Sequence, residues 1–228
     1  AHTAKVRIFT PTVEINFAGH PTIGTAVALG QLGAENPMVL ELGVGPIPCL
    51  VTGNRAEFTT SAPLTRLATP DPALVARAIN LPVDAVKTDI HVPTQATLGL
   101  AFVLVELQST TDLSACQPIT EAFHEGAAKH PDSLDFAIFA YVRDGATLHA
   151  RMFAPLDNMP EDPATGSASA TLTALLSDIA GKPLGFTIHQ GVDMGRPSLI
   201  HTQANEGTPM PITVAGTAVQ TMVGELTV

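Results

Sequence analysis

VRIFTPTVEINFAGHPTIGTA (residues 6–26) and ARMFAPLDNMPEDPATGSA (residues 150–168) are two passages of one pattern. Arg7, Phe9 and Pro11 match Arg151, Phe153 and Pro155 at an offset of 144. Two residues are then lost, and Pro21, Gly24, Thr25 and Ala26 match Pro163, Gly166, Ser167 and Ala168 at an offset of 142. In that register His20 stands where Asp162 stands. Seven matched positions on one spacing point to an internal duplication, and that duplication organises the rest of the sequence.

Each passage opens on an alternating apolar stretch, residues 5–10 and 147–153, which reads as a strand. A loop follows, then a proline in the first turn of a helix, over residues 21–33 and 163–180. Gly33 and Gly181 are the expected stops. TIGTAVALGQLG carries no charge, and TGSASATLTALLS none before Asp178. Helices apolar or small on every side are expected to be buried all round. Strands are expected after the first helix at 38–42, 47–52 and 55–60, with Gly53-Asn54 as a hairpin turn. After the second they are expected at 185–189, 198–202, 212–214 and 219–228. Between the passages lie a short helix at 70–79 with Asp71 near its start, an apolar strand at 98–107 and a charged, exposed helix at 119–129. The expected class is α+β. It has two pseudo-symmetric halves, 1–110 and 111–228, each a curved and mostly antiparallel sheet around a buried central helix.

Composition narrows the function. The 228 residues are 45% hydrophobic and 14% charged, which excludes a disordered tail. Eleven Lys+Arg against 21 Asp+Glu leave a net charge of −10, the wrong sign for nucleic acid or an anionic membrane surface. A local pocket for a small anion is still compatible with that charge. The longest apolar run, 98–105, is far short of the roughly 20 residues of a spanning helix. Cys49 and Cys116 lie far apart with no CxxC, so they read as small buried hydrophobes. A soluble, cytoplasmic protein is expected.

The chemistry is expected at the two helix starts. Unpaired backbone N–H groups there attract anions, and small residues let a ligand approach closely. Gly19-His20-Pro21-Thr22 and Asp162-Pro163-Ala164-Thr165-Gly166-Ser167 are these turns. If both face one cleft, an imidazole and a carboxylate flank a small anionic ligand, a pair suited to moving a proton. The competing reading is structural: Asp162 caps a helix and His20 is a hydrogen-bonded elbow. Arg7 and Arg151 read as anchors for neighbouring carboxylates. His124, Glu125 and His130 lack HExxH spacing and read as a solvated helix face, so no metal is expected. His2, His91, His149, His189 and His201 read as ordinary surface or strand residues. With no phosphate-binding loop and no GxGxxG after a strand, no nucleotide or nicotinamide cofactor is expected. In the segment 190–197, which joins two strands, Arg196 is a ligand clamp or a salt-bridge partner.

The stretches RIFTPTVEINFAGHPTIGTA, ARMFAPLDNMPEDPATGSASA and QGVDMGRPSLI resemble the signatures of the PhzF-like phenazine-biosynthesis family, from Val6 nearly to the C-terminus. The resemblance implies the diaminopimelate-epimerase-like fold, with the active site between two similar halves. It also implies a cofactor-independent isomerase, often a homodimer, whose best-known member moves a proton between ring carbons of trans-2,3-dihydro-3-hydroxyanthranilate. By motif, His20 and Asp162 match polar active-site residues. Gly166 and Ser167 match the part that holds the substrate carboxylate, and Gly19 lies beside His20 at the other turn. Relatives on this fold use two opposed cysteines, but here those positions hold His20 and Asp162.

The resemblance also implies a departure. The family's acid/base is a glutamate in an asparagine–(Leu/Ile/His)–serine–glutamate segment ahead of the RIFTP strand. This sequence opens Ala1-His2-Thr3 at about the place where that segment would have ended. The expectation is therefore a catalytic glutamate upstream, on a separate or cleaved N-terminal fragment or outside the sequence in hand. Glu14 is not assigned its role. Three functions remain open: an isomerase of a small carboxylate, a catalytically inactive small-molecule-binding relative, and an epimerase of an amino or hydroxy acid.

Overall fold

Residues 38–42, 55–60 and 185–190 alternate burial with a period of about two and residues 19–27 follow a three- to four-residue stripe, so apolar periodicity determines these elements. The computed structural model describes residues 2–9, 14–132 and 134–225. The chain forms two compact units, Ala1–Thr60 with Val214–Val228, and Ser61–Thr213.

The first unit contains β1 (Ala4–Lys5), β2 (Ile8–Phe9), β3 (Glu14–Ile15), α1 (Gly19–Gln31), β4 (Met38–Leu42), β5 (Gly45–Thr52) and β6 (Arg55–Thr60). β1 runs parallel to β4, β4–β5–β6 form an antiparallel meander, and β2–β3 make a separate two-stranded ladder. The Gly53-Asn54 turn sets Thr52 opposite Arg55. Met38, Leu40, Leu42, Cys49, Val51, Ala56 and Phe58 point into one core. α1 covers that core with a stripe of Gly19, Thr22, Ile23, Ala26 and Val27. The expectation of a helix buried all round is therefore corrected for α1. Its other face, with His20, Gly24, Thr25, Ala28 and Gln31, is half-buried or exposed.

The second unit contains β7 (Thr65–Ala68), α2 (Pro72–Ala78), β8 (Val86–Lys87), β9 (Thr94–Thr97), β10 (Ala101–Leu107), α3 (Thr110–Ala115), α4 (Thr120–Lys129), β11 (Ile138–Asp144), β12 (Thr147–Ala154), β13 (Met159–Asp162), α5 (Gly166–Ala180), β14 (Gly185–Gln190) and β15 (Ser198–Ala204). β16 (Ile212–Thr217) crosses the boundary at Val214. The sheet order is β15-β14-β12-β11-β10-β9-β7, with β13 added to β12 and β8 to β10. β10–β11 and β12–β14 are parallel and the remaining pairs antiparallel. Every residue of β10 is buried. Val103, Val105 and Leu107 meet Leu74, Phe123, Phe136 and Phe153 in a core under α2 and α4. Each such side chain contributes about 1.5–3 kcal/mol by burial. α4 passes close over this core at Gly126, where a Cβ would stand 2.2 Å from the Phe136 ring.

α5 is buried almost continuously from Gly166 to Ser177. Its hydroxyls make that possible by returning hydrogen bonds to the preceding turn: Ser169 to Thr165 O (2.9 Å), Thr171 to Ser167 O (2.9 Å) and Thr173 to Ser169 O (2.8 Å).

Several expectations change. Residues 5–10 form two short strands, β1 and β2, with Thr10 and the repeat residue Pro11 outside the described residues. α5 starts at Gly166 and not at Pro163, because Asp162 is still paired with Met152 across β12–β13. No strand follows β16 among the described residues: Ala218 donates to Asn54 O, and Val219, Met222 and Val223 are exposed. Position 110, the expected boundary between halves, is the first residue of α3. It lies inside the larger unit, where β10 before it pairs with β11 after it.

Candidate active site

Each of the two repeated passages builds a guanidinium clamp before its helix. In the first unit Arg7 donates from Nε and a terminal nitrogen to the two oxygens of Glu14, at 2.9 and 2.8 Å, and lies 4.8 Å over Phe9. In the second, Arg151 grips Glu161 at 2.8 and 2.8 Å and lies 4.9 Å over Phe153. Both arginines are carboxylate anchors, as the sequence suggested, with Arg7 just ahead of β2 and Arg151 within β12. The Arg7 guanidinium holds the Glu14 carboxyl below the usual carboxylate range, which disfavours Glu14 as a proton carrier. Arg151 is the buried member of the pair. Its third nitrogen donates to the carbonyls of Leu113, Ser114 and Cys116 at 3.0–3.1 Å, tying the end of α3 to β13.

Both central helices start without a side-chain cap. Ala18 and Thr165 occupy the N-cap positions, and neither makes a side-chain cap bond. By contrast, Asp71 caps α2 and Ser109 caps α3. α4 also lacks a cap but carries Glu121 in its first turn, whereas α1 and α5 carry no acidic residue there. The N–H groups of Gly166, Ser167 and Ala168 have no partner among the described residues, and neither has the Ser167 hydroxyl. Pro21, the third residue of α1, has no N–H to satisfy.

The first hydrogen bonds of the two helices correspond in a register that the sequence spacing did not give. Thr22 Oγ1 and N–H both bond Ala18 O, at 2.7 and 3.3 Å. Ser169 Oγ and N–H both bond Thr165 O, at 2.9 and 3.0 Å. Gly19 thus matches Gly166, and His20 matches Ser167, at an offset of 166 − 19 = 147. His20 does not stand where Asp162 stands. It is the exposed second residue of its helix, while Asp162 ends β13 four residues ahead of α5.

Asp162 is 8% exposed and is not the helix cap. Its Oδ2 accepts from Thr165 Oγ1 at 2.6 Å, and its Oδ1 has no partner among the described residues. Gln190, fully buried at the end of β14, holds the same turn. Its Nε2 donates to Asp162 O (2.7 Å) and Thr165 Oγ1 (2.8 Å), and its Oε1 accepts from Thr165 N–H (3.0 Å). Gly191 follows with φ +74, so close beneath the turn that a Cβ would be 2.9 Å from Pro163 O. Asp162, Gly166 and Ser167 therefore share one hydrogen-bonded turn and the helix start after it, while Gly19 and His20 belong to the other unit.

Sequence reasoning missed Thr165 and Gln190. The signal was present: Phe186, Ile188 and Gln190 share the buried phase of β14, and only the last is polar. Arg196 is exposed and forms no ion pair among the described residues, so the salt-bridge reading of it is corrected. Glu125, beside His124, is engaged by Arg77 and by Lys129 (2.7 Å). His149 and His189, at paired positions of β12 and β14, stack at 5.3 Å. Cys49 and Cys116 are buried, and neither lies at a helix start. No helix among the described residues is long and apolar enough to cross a membrane.

The chain is similar to known proteins in sequence and in fold. A family model described as phenazine biosynthesis-like protein matches residues 1–224. Trans-2,3-dihydro-3-hydroxyanthranilate isomerase of Pseudomonas aeruginosa is 31% identical over 207 residues, covering 88% of this chain and 70% of that protein. A Mesorhizobium japonicum protein named an uncharacterized isomerase is 29% identical over 242 residues, covering 99% and 80%. The crystal structure of a Bacillus anthracis phenazine biosynthesis protein of the PhzF family superposes with a TM-score of 0.81. It is 22% identical, and the match covers 93% of this chain and 77% of that one.

Proposed function

The chain belongs to the phenazine biosynthesis-like family and is an isomerase, and on that premise we propose that it moves a proton on a small carboxylate-bearing substrate without a cofactor. The observation that carries this reading is the β13–α5 turn. One buried carboxylate there keeps a free oxygen, and a helix start beside it keeps three unpaired N–H groups and a free hydroxyl. Unpaired N–H groups at a helix start stabilise an anion, and the site remains attractive to one despite a net charge of −10. In this reading Gly166 and Ser167 hold the substrate carboxylate and Gly19 offers a further N–H. Asp162 and His20 orient and polarise the substrate. The proton carrier is the glutamate that the family resemblance places ahead of Val6.

The likeness to the isomerase of Pseudomonas aeruginosa supports this substrate class, and trans-2,3-dihydro-3-hydroxyanthranilate is the first compound to test. The experiment is turnover of that compound by the full-length protein and by its His20→Ala and Asp162→Ala variants. The reading requires both variants to lose at least about 100-fold in kcat/KM, the scale of a lost polar catalytic group. Either variant turning over at the unsubstituted rate overturns the assignment.

A further inference from the structure

The N-cap threonine of α5 does not cap. A threonine in that position ordinarily accepts a hydrogen bond from an N–H of the first turn. Thr165 instead uses its hydroxyl on Asp162. The direction of every bond in the cluster can be deduced. Thr165 N–H points at one end of the Gln190 amide, and an N–H only donates, so that end is Oε1. The other end is then Nε2, which donates to Asp162 O and to Thr165 Oγ1. Thr165 Oγ1 already accepts from Gln190, so its single proton goes to Asp162 Oδ2 at 2.6 Å. Gln190 is 0% exposed and Thr165 6%, so water does not compete for these bonds. One carboxylate oxygen is consumed by the protein and the other is left over.

We propose that Thr165 and Gln190 are positioning residues that select Oδ1 of Asp162 as the oxygen presented to the substrate. This rests on the reading that Asp162 acts on the substrate. Gln190 orients the Thr165 hydroxyl, the hydroxyl fixes the rotation of the carboxylate, and the Gln190–Asp162 O bond fixes the backbone that carries it. The uncapped N–H groups follow from the same arrangement, since the hydroxyl that would have masked one of them is turned away towards Asp162.

The test compares Thr165→Val, which keeps the shape and removes the hydroxyl, with Thr165→Ser, which keeps the hydroxyl. Gln190→Met and Asp162→Asn are assayed alongside them with trans-2,3-dihydro-3-hydroxyanthranilate, well below each variant's melting temperature. The expected result is a kcat lowered about 10- to 100-fold in Thr165→Val and Gln190→Met with KM within about threefold, and recovery in Thr165→Ser. Thr165→Val keeping its kcat while Asp162→Asn is inactive overturns the proposal and leaves the function reading standing. Thr165→Ser as impaired as Thr165→Val also overturns it, because the hydroxyl is then irrelevant. Asp162→Asn retaining turnover overturns the function reading itself. A readout independent of substrate is the carboxyl carbon-13 resonance of Asp162, assigned by its loss in Asp162→Asn. It moves in Thr165→Val and returns in Thr165→Ser, and a resonance unmoved in Thr165→Val overturns the proposal whatever the turnover.

Discussion

Arg151 and Glu161 meet through two parallel hydrogen bonds of 2.8 Å, one residue ahead of Asp162 and out of bulk water. The pair links β12 to β13, and the third guanidinium nitrogen extends the link to the end of α3. Removing one member of a buried pair leaves the other charge uncompensated, a loss of about 3–5 kcal/mol. Arg151→Met is expected to lower unfolding stability by that amount in urea titration. Arg7→Met, in the matching but exposed clamp, is expected to leave the midpoint close to that of the unsubstituted protein. Equal effects in the two variants would contradict this account of the clamps.

Gly191 is the contact point between the β14–β15 loop and the Asp162–Pro163 turn. Its φ of +74 disfavours any side chain, and a Cβ would stand 2.3 Å from Arg196 O and 2.9 Å from Pro163 O. Gly195 has a similar φ of +72 but open space around it. Gly195→Ala is expected to cost about 1 kcal/mol, for backbone conformation alone, and Gly191→Ala at least about 2 kcal/mol. Thermal unfolding of the two variants separates steric from conformational cost.

The elements were legible in the sequence where periodicity is strong. Residues 38–42 and 55–60 became β4 and β6 without change, and Asp71 announced the start of α2. The likeness of two passages was legible through Arg7, Phe9, Arg151 and Phe153, which form similar clamps. Their register at the helices was not, because Pro21 and Pro163 look equivalent although one lies inside a helix and the other outside. A tertiary contact decides that difference. Gln190, 25 residues downstream of Thr165, holds residues 162–165 in a turn ahead of the helix, and local spacing cannot reveal a bond across that separation. The domain boundary was misjudged for a similar reason, since parallel pairing of β10 with β11 joins residues on both sides of position 110.

The two thiols are expected to be inert in the folded protein. Burial pushes Cys49 up to about 11 and Cys116 up to about 12, so the reactive thiolate is scarce at pH 8. Iodoacetamide at pH 8 should label neither residue in native protein and both in denaturant, read by intact mass. Rapid native labelling of either would show that the strand or helix end around it opens readily.

His91 makes stability depend on pH. Its Nδ1 donates to Val92 O at 2.7 Å, and its Nε2 and the Tyr141 hydroxyl form a hydrogen bond of 2.8 Å in a largely buried setting. Burial holds its pKa below the ordinary value of 6.5. The unfolded chain therefore takes up this proton at higher pH than the folded one does. The contribution of His91 is present above pH 6.5 and is lost as pH falls below it, with a slope no steeper than about 1.4 kcal/mol per pH unit. The stability difference between the unsubstituted protein and His91→Phe should shrink between pH 7.5 and pH 5. A difference constant across that range would contradict the assignment.

The central claim is that this isomerase moves a proton on a substrate oriented at the Asp162 turn. Its most direct test is turnover of trans-2,3-dihydro-3-hydroxyanthranilate by the full-length protein in heavy water, with proton NMR of the product. The account predicts deuterium at a ring carbon, at a rate that falls at least about 100-fold in Asp162→Asn. Deuterium entering equally fast in Asp162→Asn, or a substrate bound and released with no exchange at any carbon, would contradict it.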